Sequence, residues 1–215
     1  MKISNLDNID PKSITNIIFD WGGVLINIDY QATINAFNRL GLDDFKAFYN
    51  QKTQNEFFIQ FEIGKITPDE LRNYVREALK KDLSDKQIND AWCAMLLDAP
   101  KSRIETLQRL KSRYDIMLLS NTNQIHEDLI LPRLNKDLGM DFLSLFNRVY
   151  LSHHLGMRKP NSDIYELVIN SNGYSAEETL FIDDTEMNID AADALGIKSC
   201  YLQPNSGIVE LFEGW

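Results

Sequence analysis

Cysteine is scarce. The 215 residues hold two, Cys93 and Cys200, in different predicted elements and without a Cys-x-x-Cys spacing. They read as free thiols in a reducing compartment, which excludes a disulfide scaffold. No stretch approaches 18 apolar residues, and Met1-Lys2-Ile3-Ser4-Asn5 lacks an apolar h-region. A cytoplasmic protein with no signal peptide or membrane span is expected. Basic charge is also short. Twenty-two Lys and Arg face 32 Asp and Glu, for a net charge of −10. That argues against a nucleic-acid groove or a polybasic membrane contact, though not against a local positive pocket for phosphate. Repeats and low-complexity segments are missing too. What remains is ordinary for a soluble globular chain: 44% apolar and 25% charged residues. The length suits one full domain plus a modest insertion.

The most informative stretch is Asn16-Ile17-Ile18-Phe19-Asp20-Trp21-Gly22-Gly23-Val24-Leu25. A short apolar run bounded by glycines reads as a buried strand, here about Thr15–Trp21. Asp20 then falls at the strand's carboxyl end, where open α/β sheets bind ligands. An unpaired buried charge is costly, so this carboxylate should be solvated, ligated or reactive. The plain alternative is a turn-initiating Asp. Val24-Leu25-Ile26 is read as continuing the strand, with Asn27–Asp29 leading out.

Residues 1–14 read as a loose polar lead-in. From Tyr30 to about Ala99 helix signals fill the chain. Gln31–Leu40 ends at Gly41, Asp43 can cap the next helix, and Asn55–Ile63 is rich in Phe. Thr67-Pro68-Asp69-Glu70 and Ser84-Asp85-Lys86-Gln87 are capping boxes that start helices to about Lys80 and Met95. Phe57, Phe58, Phe61 and Trp92 read as helical core rather than a substrate stack, with room for one or two to face the active site. After a helix at Pro100–Ser112 the pattern alternates. Strands are expected at Asp115–Ser120, Arg148–Ser152, Thr179–Asp183 and Lys198–Leu202. Helices are expected near Gln124–Leu134, Asp163–Asn172 and Asn188–Leu195, with Ser175 and Glu178 capping one short turn. Strands separated by helices imply parallel βαβ units. The expected fold is α/β: a Rossmann-like parallel sheet core at 1–29 and 99–215, with an inserted all-helical cap at 30–98.

Four polar groups fall at strand ends or in adjacent loops. They are Asp20; Ser120-Asn121 in Leu118-Leu119-Ser120-Asn121-Thr122-Asn123; Lys159 in Gly156-Met157-Arg158-Lys159-Pro160; and Asp183-Asp184 after Phe181-Ile182. A carboxylate can attack phosphorus and form an aspartyl-phosphate. A hydroxyl and a free backbone N–H before a helix suit phosphate, although Ser-Asn is also an ordinary helix cap. Lys159 can reach inward as a point charge, where a solvated surface lysine is the bland reading. Arg158 is its rival. Adjacent acids repel unless a cation sits nearby, and a hard cation such as Mg²⁺ would satisfy Asp20 and Asp184 together. A loop-starting acid pair is the plain alternative.

In order and spacing these motifs resemble the haloacid dehalogenase-like hydrolase superfamily across nearly the whole chain. Gly22 and the strings Leu-Ser-Asn-Thr-Asn and Leu-Gly-Met-Arg-Lys-Pro look most like bacterial sugar-phosphate phosphatases, including an α-glucose-1-phosphate phosphatase. The resemblance implies a Mg²⁺-dependent phosphatase acting on a small phosphorylated metabolite. It makes Asp20 the nucleophile, Asp184 a direct metal ligand, Asp183 a ligand directly or through water, and the Gly22 carbonyl a third protein ligand. It prefers Lys159 because the motif places its lysine immediately before the proline. Most such phosphatases carry an aspartate two residues after the nucleophile as general acid, where this chain has Gly22. Asp29 and Glu62 are the candidate substitutes. Asn188 stands where many relatives have another acid. His153 and His154, placed at a strand end, should face opposite ways and serve no common site. Two other functions compete: a 2-haloacid dehalogenase, which the acid pair argues against, and a weakened, non-catalytic binding protein, which intact Asp20, Lys159 and Asp184 argue against. The helical insert is expected to close over substrate.

Overall fold

The computed structural model describes residues 6–42, 56–204 and 206–215. Five strands form one parallel sheet in the order β3-β2-β1-β4-β5: β1 Asn16–Phe19, β2 Asp115–Ser120, β3 Arg148–Leu151, β4 Thr179–Asp183 and β5 Lys198–Tyr201. The α/β expectation holds. β1 is buried at all four positions, as a central parallel strand covered on both faces must be. Its side chains alternate. Ile17 and Phe19 join one core with Leu118 and Ile182, whereas Ile18 joins a second with Met117, Leu119 and Phe181. The second core is closed by α8 (Ser162–Asn172) and α9 (Glu186–Ala194) through Ile164, Tyr165, Val168 and Ile189. On the first face lie α5 (Lys101–Lys111), α6 (Gln124–Leu138) and the short α10 (Ile208–Leu211). Connections leave β1 towards β2 on one side and return to β4 on the other. The sheet therefore changes direction at β1, the place where such sheets leave a crevice beyond their carboxyl ends.

Between β1 and α5 the described chain is helical: α1 Tyr30–Leu40, α2 Glu56–Glu62, α3 Pro68–Leu79 and α4 Asp85–Trp92. Both expected capping boxes form, at Thr67 with Glu70 and at Ser84 with Gln87. Phe58 and Phe61 are core, as expected, and Phe58 stacks on Trp92 at 5.5 Å. The segments entering and leaving these helices run side by side. Asn27 N–H donates to Asp98 O at 2.8 Å, and Leu97 N–H donates back to Asn27 O at 3.0 Å. That pairing fixes the helices over the same edge of the sheet as Asp20. The cap expected for Asp43 lies outside the described residues, as does Asn55. Among the described residues, no helix is long and apolar enough to cross a membrane.

Several expectations need correction. Val24-Leu25-Ile26 does not continue β1. Leu25 and Ile26 N–H both donate to Trp21 O, and Gly23 N–H donates to Ile26 O at 2.9 Å, so the chain turns back on itself. These apolar residues are buried by packing in the turn rather than by a ladder. Within the lead-in, Leu6 and Ile9 are buried, and Asp10 caps a short 3₁₀ turn at Pro11–Ser13. Ser175 precedes the expected turn at Ala176–Glu178 but its side chain makes no capping bond. Finally, β3 ends at Leu151, and Ser152–Leu155 forms one helical turn, α7.

Candidate active site

Three strands deliver three groups to one edge. Asp20 follows β1, Ser120 ends β2 and Asp183 ends β4. Asp20 N–H donates to Ile182 O at 2.9 Å, which extends the ladder by one residue and locks the carboxylate's origin against Asp183. Lys159 enters from the loop after α7. Its Nζ lies 2.8 Å from Asp20 Oδ1 and 2.6 Å from Asp183 Oδ2, and the side chain is 1% exposed. Of the two basic neighbours, Lys159 is the one that meets Asp20, whereas Arg158 meets Glu62. Asp20, Asp183 and Asp184 bring one carboxylate oxygen each within 4.8 Å of one another.

The electrostatics follow from that crowding. Burial pushes the Asp20 carboxyl up to about 7; Lys159 pulls against this, while Asp183 and Asp184 add to it. Burial and then Asp183 raise Asp184 to about 6, with Lys159 opposing. Burial alone would lower Lys159, but Asp183 and Asp20 outweigh it and hold the ammonium above its ordinary value. One ammonium thus faces three carboxylates.

The supporting contacts divide the expected roles. Asp183 is fully buried, and its oxygens accept from Lys159 Nζ, Thr185 N–H and the Asn188 amide at 2.6 to 3.0 Å. Asn188 therefore orients Asp183. Asn121 was expected at phosphate, yet its side chain holds the Lys159 backbone: Oδ1 accepts Lys159 N–H at 2.9 Å and Nδ2 donates to Lys159 O at 2.8 Å. Only its backbone remains to face a ligand. Gly23 has φ +76°, and a Cβ there would sit 2.0 Å from Asp184 Oδ2, so the bare backbone is what gives Asp184 its place.

Asp20, Gly22, Ser120, Lys159 and Asp184 line a cavity of about 400 Å³, within the range of small-molecule sites. The helices contribute Ile59 and Glu62 from α2 and Trp92 from α4 to its wall. Glu62 meets Arg158 there, Oε2 to Nη2, at 3.1 Å. Asp29 is exposed, does not line the cavity, and caps α1 by accepting Gln31 N–H at 2.9 Å. Of the two substitute acids, only Glu62 is at the site.

His126, which sequence reasoning passed over, also lines the cavity. Its Nε2 meets Trp92 O at 3.2 Å. Since a carbonyl only accepts, Nε2 carries the proton and Nδ1 is left as an acceptor. Burial lowers the ring to about 4, so it is neutral at pH 7. The available signal was its place in the first turn after the Ser120 strand, three residues past the Asn123 cap. His153 and His154 do not diverge as expected. On a helical turn rather than a strand, both Nε2 atoms reach Glu127 Oε2, at 2.8 and 3.0 Å. They form a separate cluster that does not line the cavity.

Comparison with known proteins gives the family. The profile of the haloacid dehalogenase-like hydrolase family matches residues 14–196. A D-ribitol-5-phosphate phosphatase from Bacteroides thetaiotaomicron is 30% identical over 195 residues, covering 90% of this chain and 93% of the relative. A sesquiterpene phosphatase from Aspergillus oryzae is 28% identical, covering 86% and 88%. The crystal structure of a family enzyme from Bacteroides thetaiotaomicron, complexed with magnesium and inorganic phosphate, superposes with a TM-score of 0.86 at 35% identity, covering 93% of this chain and 99% of that one. The chain belongs to the haloacid dehalogenase-like hydrolase family.

Proposed function

We propose that the protein is a Mg²⁺-dependent phosphatase that hydrolyses a small phosphate ester, of the sugar- or polyol-phosphate class, through an aspartyl-phosphate on Asp20. One observation carries this reading: a single ammonium, Lys159, held among three carboxylates at the carboxyl edge of the sheet. The residues fit a hard divalent cation. The donors are all oxygens, and burial, with the neighbouring carboxylates adding to it, raises Asp20 and Asp184 when no cation offsets their charge. Asp20, Asp184 and the Gly22 carbonyl would hold the ion. Asp183 spends its oxygens on Lys159, Thr185 and Asn188, so any contact from it would run through water. Bound there, the cation supplies charge neutralisation between the carboxylates and a phosphate oxygen. A similar protein solved in complex with magnesium and inorganic phosphate supports a magnesium-dependent phosphatase.

This chain's own residues do the rest. Asp20 attacks phosphorus as the ester P–O bond breaks and the alcohol leaves with a proton from solvent; water then attacks the aspartyl-phosphate, releasing inorganic phosphate and regenerating the Asp20 carboxylate. Lys159 offsets charge on the phosphoryl oxygens, and Asn121 holds the Lys159 backbone in place. Ser120 Oγ and the Asn121 N–H bind phosphate, since the next N–H, that of Thr122, donates to Ser152 Oγ at 2.9 Å. The helices at 30–98 cover the crevice and supply the wall against the leaving group.

Two predictions belong here. Gly23→Ala forces its Cβ onto Asp184. The expected result is an apparent Mg²⁺ affinity weaker by about 10- to 100-fold, as when groups placing a metal ligand are disturbed, with activity partly recovered at high Mg²⁺. A Mg²⁺ titration of phosphate release reads it. An unchanged titration curve means that Asp184 does not need that approach.

The second concerns Gly22. With no acid at that position, the leaving oxygen departs carrying more negative charge. kcat/KM across a series of phosphate esters should then rise steeply with the acidity of the leaving alcohol. A Cβ at position 22 would lie 3.2 Å from Ile28 Cγ1, so Ile28 must give by a few tenths of an ångström to admit an Asp. Gly22→Asp should help primary alkyl esters more than aryl esters, by about 10-fold or more of the ~10²–10⁴ that general acid catalysis is worth. This series also tests the function itself. Release of phosphate from none of the esters ends the phosphatase reading, whereas a flat dependence in the wild type shows that another residue, with Glu62 first, already supplies the proton.

A further inference from the structure

The wall of the cavity holds a charged pair that phosphate chemistry does not need. Glu62 and Arg158 meet at 3.1 Å with side chains only 13% and 20% exposed. Arg158 Nε–H is buried and has no hydrogen-bond partner among the described residues. We propose that Glu62 and Arg158 are specificity residues that read vicinal hydroxyls on the leaving group, and so select a polyol or sugar phosphate over an apolar ester.

The argument rests on the phosphatase reading above and on the cost of burying charge. Closing the site on a hydrocarbon chain would strip the remaining water from this pair and give nothing back. A hydroxylated chain answers both partners. One hydroxyl donates to a Glu62 oxygen, and its neighbour accepts from the Arg158 Nε–H. His126 adds a further acceptor on the same wall, because its proton is committed to Trp92 O. The pair joins α2 to the loop that carries Lys159. A leaving group that engages it is therefore registered against the same loop that holds the phosphate. The similar proteins named above include a D-ribitol-5-phosphate phosphatase and a sesquiterpene phosphatase, so polar and apolar leaving groups both occur among relatives of this chain. A largely buried ion pair in the wall favours the hydroxylated one.

The test compares ribitol 5-phosphate with n-pentyl phosphate, which share a five-carbon primary ester and differ in hydroxyls. The readout is the ratio of their kcat/KM values. Hydrogen bonds to charged groups imply a wild-type ratio of about 100 or more, with each of Glu62→Gln and Arg158→Gln lowering it about 10-fold or more. Most of the fall should appear in KM. The double variant Glu62→Leu/Arg158→Met replaces the charges with apolar side chains of similar bulk. It should bring the ratio close to one and raise kcat/KM for n-pentyl phosphate, a gain that a misfolded protein cannot show. A wild-type ratio near one overturns the proposal. So does an equal fall for both esters in Glu62→Gln, which would make Glu62 a proton donor. If p-nitrophenyl phosphate and both alkyl esters all resist hydrolysis, the phosphatase reading fails and this inference falls with it.

Discussion

Asp20→Asn is expected to stop phosphate release, by about 10⁴-fold or more, the scale on which hydrolases lose rate when the nucleophile is removed. The amide is isosteric but cannot form the acyl phosphate. Lys159 would still be anchored, because Asp183 Oδ2 lies 2.6 Å from its Nζ on the far side. The fold should not suffer, and the sign of the Asp20 shift says more. Its carboxyl titrates near 7 in the fold against an ordinary 3.8, mainly because it is buried. A group whose folded value is raised in this way costs stability as pH climbs from the unfolded value to the folded one, and the full cost applies above it. Removing the charge removes that cost. Metal-free Asp20→Asn should therefore unfold at a temperature no lower than the metal-free wild type at pH 8, and any advantage should vanish below about pH 4. Thermal scans in EDTA at the two pH values, with single-turnover assays for phosphate, check both halves. Retention of more than a trace of turnover would remove Asp20 from the mechanism.

Asp20, Ser120 and Asp183 were legible because each ends an apolar run, and a parallel sheet brings such ends to one edge. The same logic failed at Val24-Leu25-Ile26. An apolar tripeptide after two glycines has the composition of a strand, and nothing local shows that it is buried inside a turn. His153 and His154 failed for a related reason. A strand that stops one residue early changes the side-chain period from two to 3.6, which swings both rings onto Glu127. Lys159 was preferred over Arg158 on the resemblance, whose motif places its lysine immediately before the proline. Its restraint by Asn121 and the Glu62–Arg158 pair were not legible, because each joins segments far apart in the chain. Such pairings are set by how elements pack. Periodicity and capping signals, which predict the elements themselves, carry no record of them.

Removing the metal should have an effect of the same order. Asp20, Asp183 and Asp184 converge within 4.8 Å, and Lys159 is the ammonium that faces them. A phosphate ester brings further negative charge to the same point. Two like charges 4 Å apart repel by about 4 kcal/mol at an effective dielectric near 20, and each such pair left uncompensated costs roughly three powers of ten in rate. Excess EDTA should therefore lower phosphate release by at least ~10³-fold, and added Mg²⁺ should restore it. Asp184→Ala should show a similar loss that Mg²⁺ repairs poorly, because a ligand is gone. Asp184→Asn separates charge from shape: it keeps an oxygen in place but gives up the negative charge, so its Mg²⁺ requirement should lie between those of the wild type and the alanine variant. The measurement is the Mg²⁺ dependence of kcat/KM for one phosphate ester in the three proteins. Full activity in EDTA would show that the crowded carboxylates tolerate the substrate unaided. That would turn the assignment towards metal-free displacement at carbon, the dehalogenase chemistry that the Asp183-Asp184 pair argues against.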